Sequence, residues 1–596
     1  MFKFKLSYVA LAAALTSSFV YADPSSYTHK SGTKVIDIEA PNAAGVSHNL
    51  YRDFNVDSKG VVLNNSGSDY AHSTLGNIAK NNNLSNGSAS VILNEVVSKN
   101  PSSLNGFIEV GGKKADVIIA NPNGISCSGC SFINTQKAIL TTGKVNMTST
   151  GAVGSYTVTN GTITIGKNGM DAANSYAVLL GDAINLNGMV TAQNAHLSAG
   201  NFTMDNATGV VTSAGKQATL LQKLNPAYSI DVSSLGGVKA NNITMVGNNL
   251  GFGVRNKGAI VANSSLALTS NGSLINDGSI NGNGFVTQIA TAGELKNSGT
   301  IATKNIAMLT SYGDFNNTGT IENTSQMAVN AAGDLTNKGV LKSAKTLAVN
   351  TNGNLSTGSG AYLQAGEQLQ ISALGNIDNA GYTEAKQTLV SFGGKEMTVS
   401  NTLSGTDSLV VQSVKDNKIS NGVITNKGLI SGGNVKLHTN GNIELAKNST
   451  TSATQSLTTK SYALNNEGSM EGKTATVNID NWSTTNSGHI IGKTINVLTW
   501  FDMLNEGMIQ SLGDLNINTQ NNGNLINRSS IYSNGTFTLS AKKVINGGYR
   551  CGFMNLSTCG VGNLNANKLV LNSTHKYASE MGGTQNFKAT QVNTVK

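Results

Sequence analysis

Apolar and polar residues alternate in short runs along most of this chain, and between residues 272 and 381 the runs form a phrase that returns at nearly constant spacing. The phrases are GSLINDGSI, GELKNSGTI, GDFNNTGTI and GDLTNKGVL, followed by the looser GNLSTGSGAYL. Their leading glycines are Gly272, Gly293, Gly313, Gly333 and Gly353, and their second glycines are Gly278, Gly299, Gly319, Gly339 and Gly358, so the step is 19 to 21 residues. A period of that length marks a solenoid, in which each unit buries its apolar face only by stacking on the next. Within each unit an Asn-x-Gly turn leads to an apolar residue (Ile280, Ile301, Ile321 or Leu341) and then to a second apolar patch such as Ile306, Met308 and Leu309. Glycine supplies the positive φ that a tight corner asks for and asparagine tolerates it, so each unit reads as strand, corner, strand. A helical repeat would need about ten or more residues at 3.6 spacing, dominated by Ala, Leu, Glu and Lys. These units are rich in Thr, Asn, Ser and Gly instead. The pattern predicts an all-β fold, a parallel β-helix.

Composition narrows the picture. The 596 residues include 67 Gly and only 5 Pro, with 12% charged and 39% hydrophobic residues. So little charge would suggest disorder without pattern, but the regular apolar spacing points to a narrow packed core in which identical polar residues can stack in ladders. The net charge of +9 comes from scattered lysines, with arginine only at Arg52, Arg255, Arg528 and Arg550. No basic cluster with interleaved aromatics appears, which argues against nucleic acid as a partner.

Lys3 and Lys5, an apolar run from Val9 to Val20, and Val20-Tyr21-Ala22 before Asp23 read as a secretory signal at 1–22, cleaved after Ala22. The run is short for a bilayer span, and no later stretch approaches ~18 consecutive apolar residues. The mature chain is therefore expected to be exported and soluble. Its four cysteines form two local pairs, Cys127 with Cys130 and Cys551 with Cys559. In an oxidising compartment such neighbours are candidate disulfides, although four cysteines allow three pairings. Cys127-Ser-Gly-Cys130 lacks the βαβ surroundings of a redox CxxC, and no His or further Cys lies near in sequence to complete a zinc site.

Between Thr33 and Leu140 the chain leaves the plain repeat. Here stand GTKVIDIEAPNAAGVSHNLYRDFNVDSKGVVLNNS and SASVILNEVVSKNPSSLNGFIEVGGKKADVIIANPNGISCSGCSFINTQKAILTTG. By their residues, Val117 to Ala120 form a short apolar strand. Asn121-Pro122-Asn123-Gly124 then supplies proline at a turn's second position and glycine for positive φ at its end, before Ile125 re-enters the core.

These strings resemble the amino-terminal secretion domain of the filamentous haemagglutinin family, the exported partners of two-partner secretion. The cysteine pair after the Asn-Pro-Asn-Gly-Ile string is most like the branch of Serratia- and Proteus-type haemolysins and contact-dependent growth inhibition proteins. The resemblance implies a right-handed parallel β-helix with short capping and extra-helical strands near its start. It also implies recognition by a cognate outer-membrane barrel with periplasmic binding domains. Secretion determinants of the family map to Asn64, Asn65, Asn94, Asn121, Pro122, Asn123, Gly124 and Ile125. Where many relatives carry Asn-Pro-Asn-Leu, this chain has Asn81-Asn82-Asn83-Leu84, so a looser corner is expected there.

The coils are less regular from 151 to 261, and the secretion domain is placed at 23–260. A shaft of about 20 residues per coil follows at 261–550. It blurs between 385 and 460 and resumes at Gly468, Gly488 and Gly507; residues 551–596 form a terminal segment with the second cysteine pair. At that period the 574 residues left after cleavage (596 minus 22) give about 29 coils. No capping helix or charged terminus stands in the final residues, as if the chain were short for its family or ended in an interaction surface.

Little in the chain looks like chemistry. Gly468-Ser-Met-Glu-Gly472-Lys473-Thr474 and Gly488-His-Ile-Ile-Gly492-Lys493-Thr494 are each one residue short of a P-loop, and their separation marks them as copies of one solenoid corner. Only His29 and His48 lie about one coil apart, with no third ligand, and neither GxSxG nor calcium-binding nonapeptides appear. Glu294, Asp314 and Asp334 recur in register because the repeat forces them to, whereas a glycosidase pair needs asymmetry. The expectation is a non-enzymatic exoprotein without cofactor or metal, secreted or held at the outer-membrane surface of a Gram-negative bacterium. It would act as an adhesin through repeated shallow contacts on a rigid rod with an unidentified surface receptor. The alternatives are a haemolysin, or the front end of a growth-inhibition toxin.

Overall fold

The structure, a computed structural model, describes residues 23–72, 74–214, 216–217, 228–520, 522–551, 557–573, 578–580 and 583–594. The proposed signal at 1–22 lies outside them. Nearly every described element is a strand, and most pair in parallel with the equivalent strand one coil away, as in Leu274–Asn276 with Leu295–Asn297 and Val286–Thr291 with Ile306–Ser311. The protein is a parallel β-helix of about 22 turns, a stack roughly 105 Å long at ~4.8 Å per strand spacing.

A regular rung has three strands. Ser279–Gly282 and Val286–Thr291 complete the rung that opens with Leu274–Asn276. Each strand turns alternate residues inward, and register stacks like on like: Leu274, Leu295, Phe315 and Leu335 form one internal column, and Ile280, Ile301, Ile321 and Leu341 another. All eight are fully buried. Such columns form because the pleat's period of two carries every inward side chain to the same place in the next rung.

The column next to the first is polar. Asn256, Asn276, Asn297, Asn317 and Asn337 are buried, and each of the first four donates from Nδ2 to the next Oδ1 at 2.7–2.8 Å. A second ladder joins Asn466, Asn486, Asn505, Asn527 and Asn546 at 2.7–2.8 Å. A buried amide is costly unless its donors and acceptor are both used, and a column of identical amides uses them.

The repeat glycines act differently from the sequence reading. Gly278, Gly299, Gly319 and Gly339 do not take positive φ. Instead, a Cβ on Gly319 would overlap the Gly299 carbonyl oxygen beneath it, and the others are placed alike. Glycine is needed because successive backbones come into contact at that corner, not because the corner is left-handed.

About 22 turns are present where even spacing suggested about 29 because several segments leave the coil. Lys144–Met147, Val153–Val158, Phe202–Asp205 and Val211–Ser213 form a separate four-stranded antiparallel sheet. It covers one face of the early rungs and encloses a second core of Leu93, Ile118, Tyr156, Val178, Phe202 and others. Tyr70–His72 pairs with Gly76–Ile78 as a hairpin over a small third core, and Ser26–Thr28 lies antiparallel to Lys34–Asp37 at the amino-terminal end. The blurred stretch is also coiled: Glu396 pairs with Val423, a long step, because a hairpin closing at Lys415 and Lys418 is inserted there. The two strings with P-loop flavour are paired strands, with Gly472 opposite Gly492. Within the terminal segment, Asn563–Ser573 pairs in parallel with Ser530–Ala541 and Thr584–Thr594.

Candidate secretion-recognition site

The string ADVIIANPNGISC folds as strand Ala115–Ala120, a four-residue turn and strand Ile125–Cys127. Val117, Ile118 and Ile119 are all buried, since the solenoid core lies on one face of this strand and the antiparallel sheet covers the other. Burial on both faces turns the usual alternation into a continuous apolar run. At the turn the Gly124 N–H donates to the Asn121 carbonyl at 3.1 Å. Gly124 has φ of 113°, a conformation that only glycine adopts easily.

Asn121 is fully buried and closes the corner onto the preceding coil. Its Nδ2 donates to the Asn100 carbonyl at 2.9 Å and to Ser102 Oγ at 3.0 Å, while its Oδ1 accepts the Asn123 N–H at 3.0 Å. Asn123 in turn donates from Nδ2 to the Ser98 carbonyl at 2.9 Å. The Asn81-Asn82-Asn83-Leu84 corner, expected to be looser for want of proline, is built the same way. It is one 3₁₀ turn, Asn82–Leu84, in which Asn81 Oδ1 accepts the Asn83 N–H at 2.9 Å. Asn81 Nδ2 donates to the Ile38 and Asn64 carbonyls at 2.8 and 3.0 Å, and Asn83 Nδ2 reaches the Ile38 carbonyl at 3.1 Å. At both corners the amide of the first asparagine caps the turn, with proline at one and without it at the other.

The other asparagines are also internal ties. Asn64 Nδ2 donates to Asp37 Oδ1 at 2.7 Å and to the Ala79 carbonyl at 3.0 Å. Asn65 accepts the Ala89 N–H at 2.7 Å and donates to the Ala89 and Lys113 carbonyls at 2.9 and 2.8 Å. Asn94 donates to the Ile118 carbonyl at 3.3 Å and accepts the Tyr51 hydroxyl at 3.1 Å. Burial, with Asp23 and Glu39 adding to it, pushes the Tyr51 hydroxyl up, so it remains a proton donor to Asn94. Of the eight residues singled out by sequence, Asn64, Asn65, Asn94, Asn121, Gly124 and Ile125 are buried, and only Pro122 and Asn123 are exposed. The structure joins Asn64 to the Asn81 corner and sets Asn94 beside Ile119 one rung from the Asn121 corner. No one surface holds all eight.

Cys127 and Cys130 are joined by a disulfide and buried beside this corner, with Cα atoms 5.4 Å apart. Cys559 is also disulfide-bonded, and the side chain of Cys551 lies outside the described residues.

Sequence reasoning missed a partly buried pair, His72 and Glu109. Their Nε2 and Oε2 are 2.8 Å apart, and His72 Nδ1 accepts the Thr74 and Leu75 N–H groups at 3.1 Å each. Those two donors fix the imidazole proton on Nε2, facing the carboxylate. The partners lie 37 residues apart, and no spacing rule points to them. Among the described residues no group of three His, Cys, Asp or Glu side chains could hold a metal ion. Asp314 and Asp334 accept backbone N–H bonds from the next rung, from Asp334 at 2.9 Å and Asn354 at 2.7 Å, so these recurring carboxylates support the coil.

Residues 17–282 match the TPS secretion domain. Over that part, a little under half of its length, the chain is similar to the TPS secretion domain family. The chain is 42% identical over 245 residues to the tRNA nuclease CdiA of Yersinia mollaretii, covering 41% of this chain and 8% of that protein. The 16S rRNA endonuclease CdiA of Enterobacter cloacae subsp. cloacae is 30% identical over 552 residues, covering 89% of this chain and 16% of that protein. The Hemolysin of Serratia marcescens is 34% identical over 281 residues, covering 46% and 17%. The chain thus spans less than a fifth of the length of these relatives. Among solved structures, the filamentous hemagglutinin secretion domain superposes with a TM-score of 0.40 at 32% identity, covering 50% of this chain and 97% of that one.

Proposed function

We propose that this chain is a two-partner secretion exoprotein, carried across the outer membrane of a Gram-negative bacterium by a cognate transporter and acting at the cell surface as an adhesin. The reading is carried by one observation, a TPS secretion domain continuous with a stack of repeated rungs. A rigid rod with recurring shallow faces suits multivalent attachment better than turnover of a substrate, and no enzymatic role or nucleic-acid partner is assigned. The signal at 1–22 would take the chain across the inner membrane. The secretion domain is taken to end near residue 260.

Within the secretion domain, Pro122 and Asn123 are assigned direct contact with the transporter, because a folded receptor surface can touch only what is exposed. The buried asparagines Asn64, Asn65, Asn94 and Asn121, with Gly124 and Ile125, are assigned to building the corners that present them. The test is export from a strain lacking the cognate transporter. The protein is expected in the periplasm, shielded from external protease, and unchanged surface display would refute the reading.

A second reading is favoured by the 552-residue similarity to an endonuclease CdiA, which runs through the shaft as well as the secretion domain. On that reading the chain is the leading part of a growth-inhibition protein. Sequencing the locus downstream for a toxin and immunity pair separates the two.

A further inference from the structure

The chain has only two tryptophans, and the coil places both on its surface, side by side. Ser461, Asn481 and Thr499 occupy one inward position on successive rungs, so Tyr462, Trp482 and Trp500 follow one another at the corner just outside it. Ring centroids of Tyr462 and Trp482 are 5.8 Å apart with their planes inclined by 30°, those of Trp482 and Trp500 are 6.3 Å apart, and Phe501 lies 5.8 Å from Trp482. All four rings are about half exposed, at 47 to 53%. Large apolar groups kept in water as a contiguous row on a rigid scaffold are a mark of binding, since burying them inward or replacing them with polar residues would favour solubility.

The row borders a cleft of about 290 Å³. One rung before Tyr462 the corner residue is the smaller Asn440, which leaves one side of the Tyr462 ring open to the cleft. Asn440 is anchored by its Nδ2 to the Ile419 carbonyl at 2.9 Å. Two residues before Tyr462 and Trp482 on the same strands, Lys460 and Asp480 form an adjoining rim of the cleft as an exposed ion pair at 3.1 Å. This rim offers ammonium donors and carboxylate acceptors with no net charge. A ligand matched to it must both donate and accept hydrogen bonds while laying an apolar face on an aromatic ring. Sugar hydroxyls do the first and the C–H faces of pyranose rings do the second. The ring spacing is on the scale of one sugar unit. An anionic lipid surface would call for several unpaired cations, and a stable protein partner for about 800 Å² on each side, more than four half-exposed rings supply.

We propose that Tyr462, Trp482, Trp500 and Phe501, with Asn440, Lys460 and Asp480, form a binding site for a neutral oligosaccharide. The proposal rests on the shaft being a binding surface, and its test is independent of export. Because both tryptophans of this chain lie in the row, intrinsic tryptophan emission of the purified 596-residue chain reports on this site alone. Titration with neutral gluco- and chito-oligosaccharides into the millimolar range is expected to shift and quench that emission saturably. Trp482→Ala should weaken binding by at least about tenfold. Lys460→Met, which leaves every ring in place, should weaken it severalfold and serves if the first variant fails to fold. Circular dichroism and thermal melts matching the parent establish that each variant is folded. No response to any neutral sugar, or a response only to heparin fragments or phospholipid vesicles, would overturn the proposal. Mislocalisation after transporter loss bears on the exoprotein reading and leaves this result untouched.

Discussion

Replacing Asn297 by alanine removes one link from the middle of the first internal ladder. Asn297 accepts from Asn276 Nδ2 at 2.7 Å and donates to Asn317 Oδ1 at 2.8 Å. The first loss is partly covered, since Asn276 Nδ2 also donates to the Thr300 carbonyl at 3.1 Å, and costs about 1 kcal/mol. The second leaves Asn317 Oδ1 buried without another donor among the described residues, at about 1–3 kcal/mol. The space left by the amide adds roughly 1 kcal/mol. The sum, about 3–5 kcal/mol, should appear locally, because rungs of a solenoid interact mainly with their neighbours. Hydrogen exchange by mass spectrometry on the full chain is the assay, and peptides spanning residues 274–320 should exchange about two to four powers of ten faster. Asn337→Ala, at the ladder's end, orphans no amide oxygen on a following rung and should cost about 1–3 kcal/mol less. Asn297→Leu keeps the volume and loses the bonds. If it protects these rungs as well as the parent does, packing and not the amide column holds them, and the reasoning fails.

Gly319→Ala should loosen the same rungs by more than about 2 kcal/mol, since its methyl overlaps the Gly299 carbonyl oxygen and backbone must move; unchanged exchange around residues 299–340 would count against it. His196 is buried against Ser198, and desolvation brings its pKa down to about 4. A histidine depressed in the folded state takes up protons preferentially when unfolded, so its contribution is intact above about pH 6.5 and is lost as pH falls toward about 4, on the order of 3 kcal/mol in all. Urea melts of His196→Gln should lack that part of the acid sensitivity. Asn121→Ala should lower both secretion and the melting temperature, by about 2–4 kcal/mol of local stability, whereas Asn123→Ser should lower secretion with the melt nearly unchanged. Equal melting losses in the two would remove the distinction between building the corner and presenting it.

The shaft was legible because its rungs are nearly equal in length: 20-residue steps and like-on-like apolar columns are consequences of stacking, and stacking leaves a period in the sequence. The coil count was not, because hairpins and the sheet of Lys144–Met147, Val153–Val158, Phe202–Asp205 and Val211–Ser213 consume chain without adding rungs. The glycine rows were found for the wrong physical reason, since a sequence shows that no side chain is wanted but not whether torsion or a neighbouring backbone forbids it. At the candidate secretion site the turn at Asn121-Pro122-Asn123-Gly124 could be read from residue types, and the burial of its asparagines could not. An asparagine at a corner looks the same in sequence whether its amide faces water or the backbone of the previous coil.

The interruption of the asparagine ladders shows how the fold handles such a buried amide when its column fails. The column passes through Thr357, Asn379, Val399, Asn426 and Leu445 before the second ladder begins at Asn466. Val399 and Leu445 cannot bond, so Asn379 and Asn426 lack amide partners on the next rung. In both places a threonine appears in the neighbouring column, otherwise aliphatic: Thr383 between Leu363 and Leu403, and Thr451 between Ile430 and Met470. Thr383 Oγ1 donates to Asn379 Oδ1 at 2.8 Å, and Thr451 Oγ1 accepts from Asn426 Nδ2 at 3.0 Å. Each buried hydroxyl stands where an aliphatic side chain would pack better, and the amide beside it supplies its hydrogen bond. The threonines give Asn379 and Asn426 a bond where the column fails, whereas Asn466 Oδ1, one rung after Leu445, is buried without a partner among the described residues, so the coil continues through the irregular stretch between 385 and 460 without satisfying every amide.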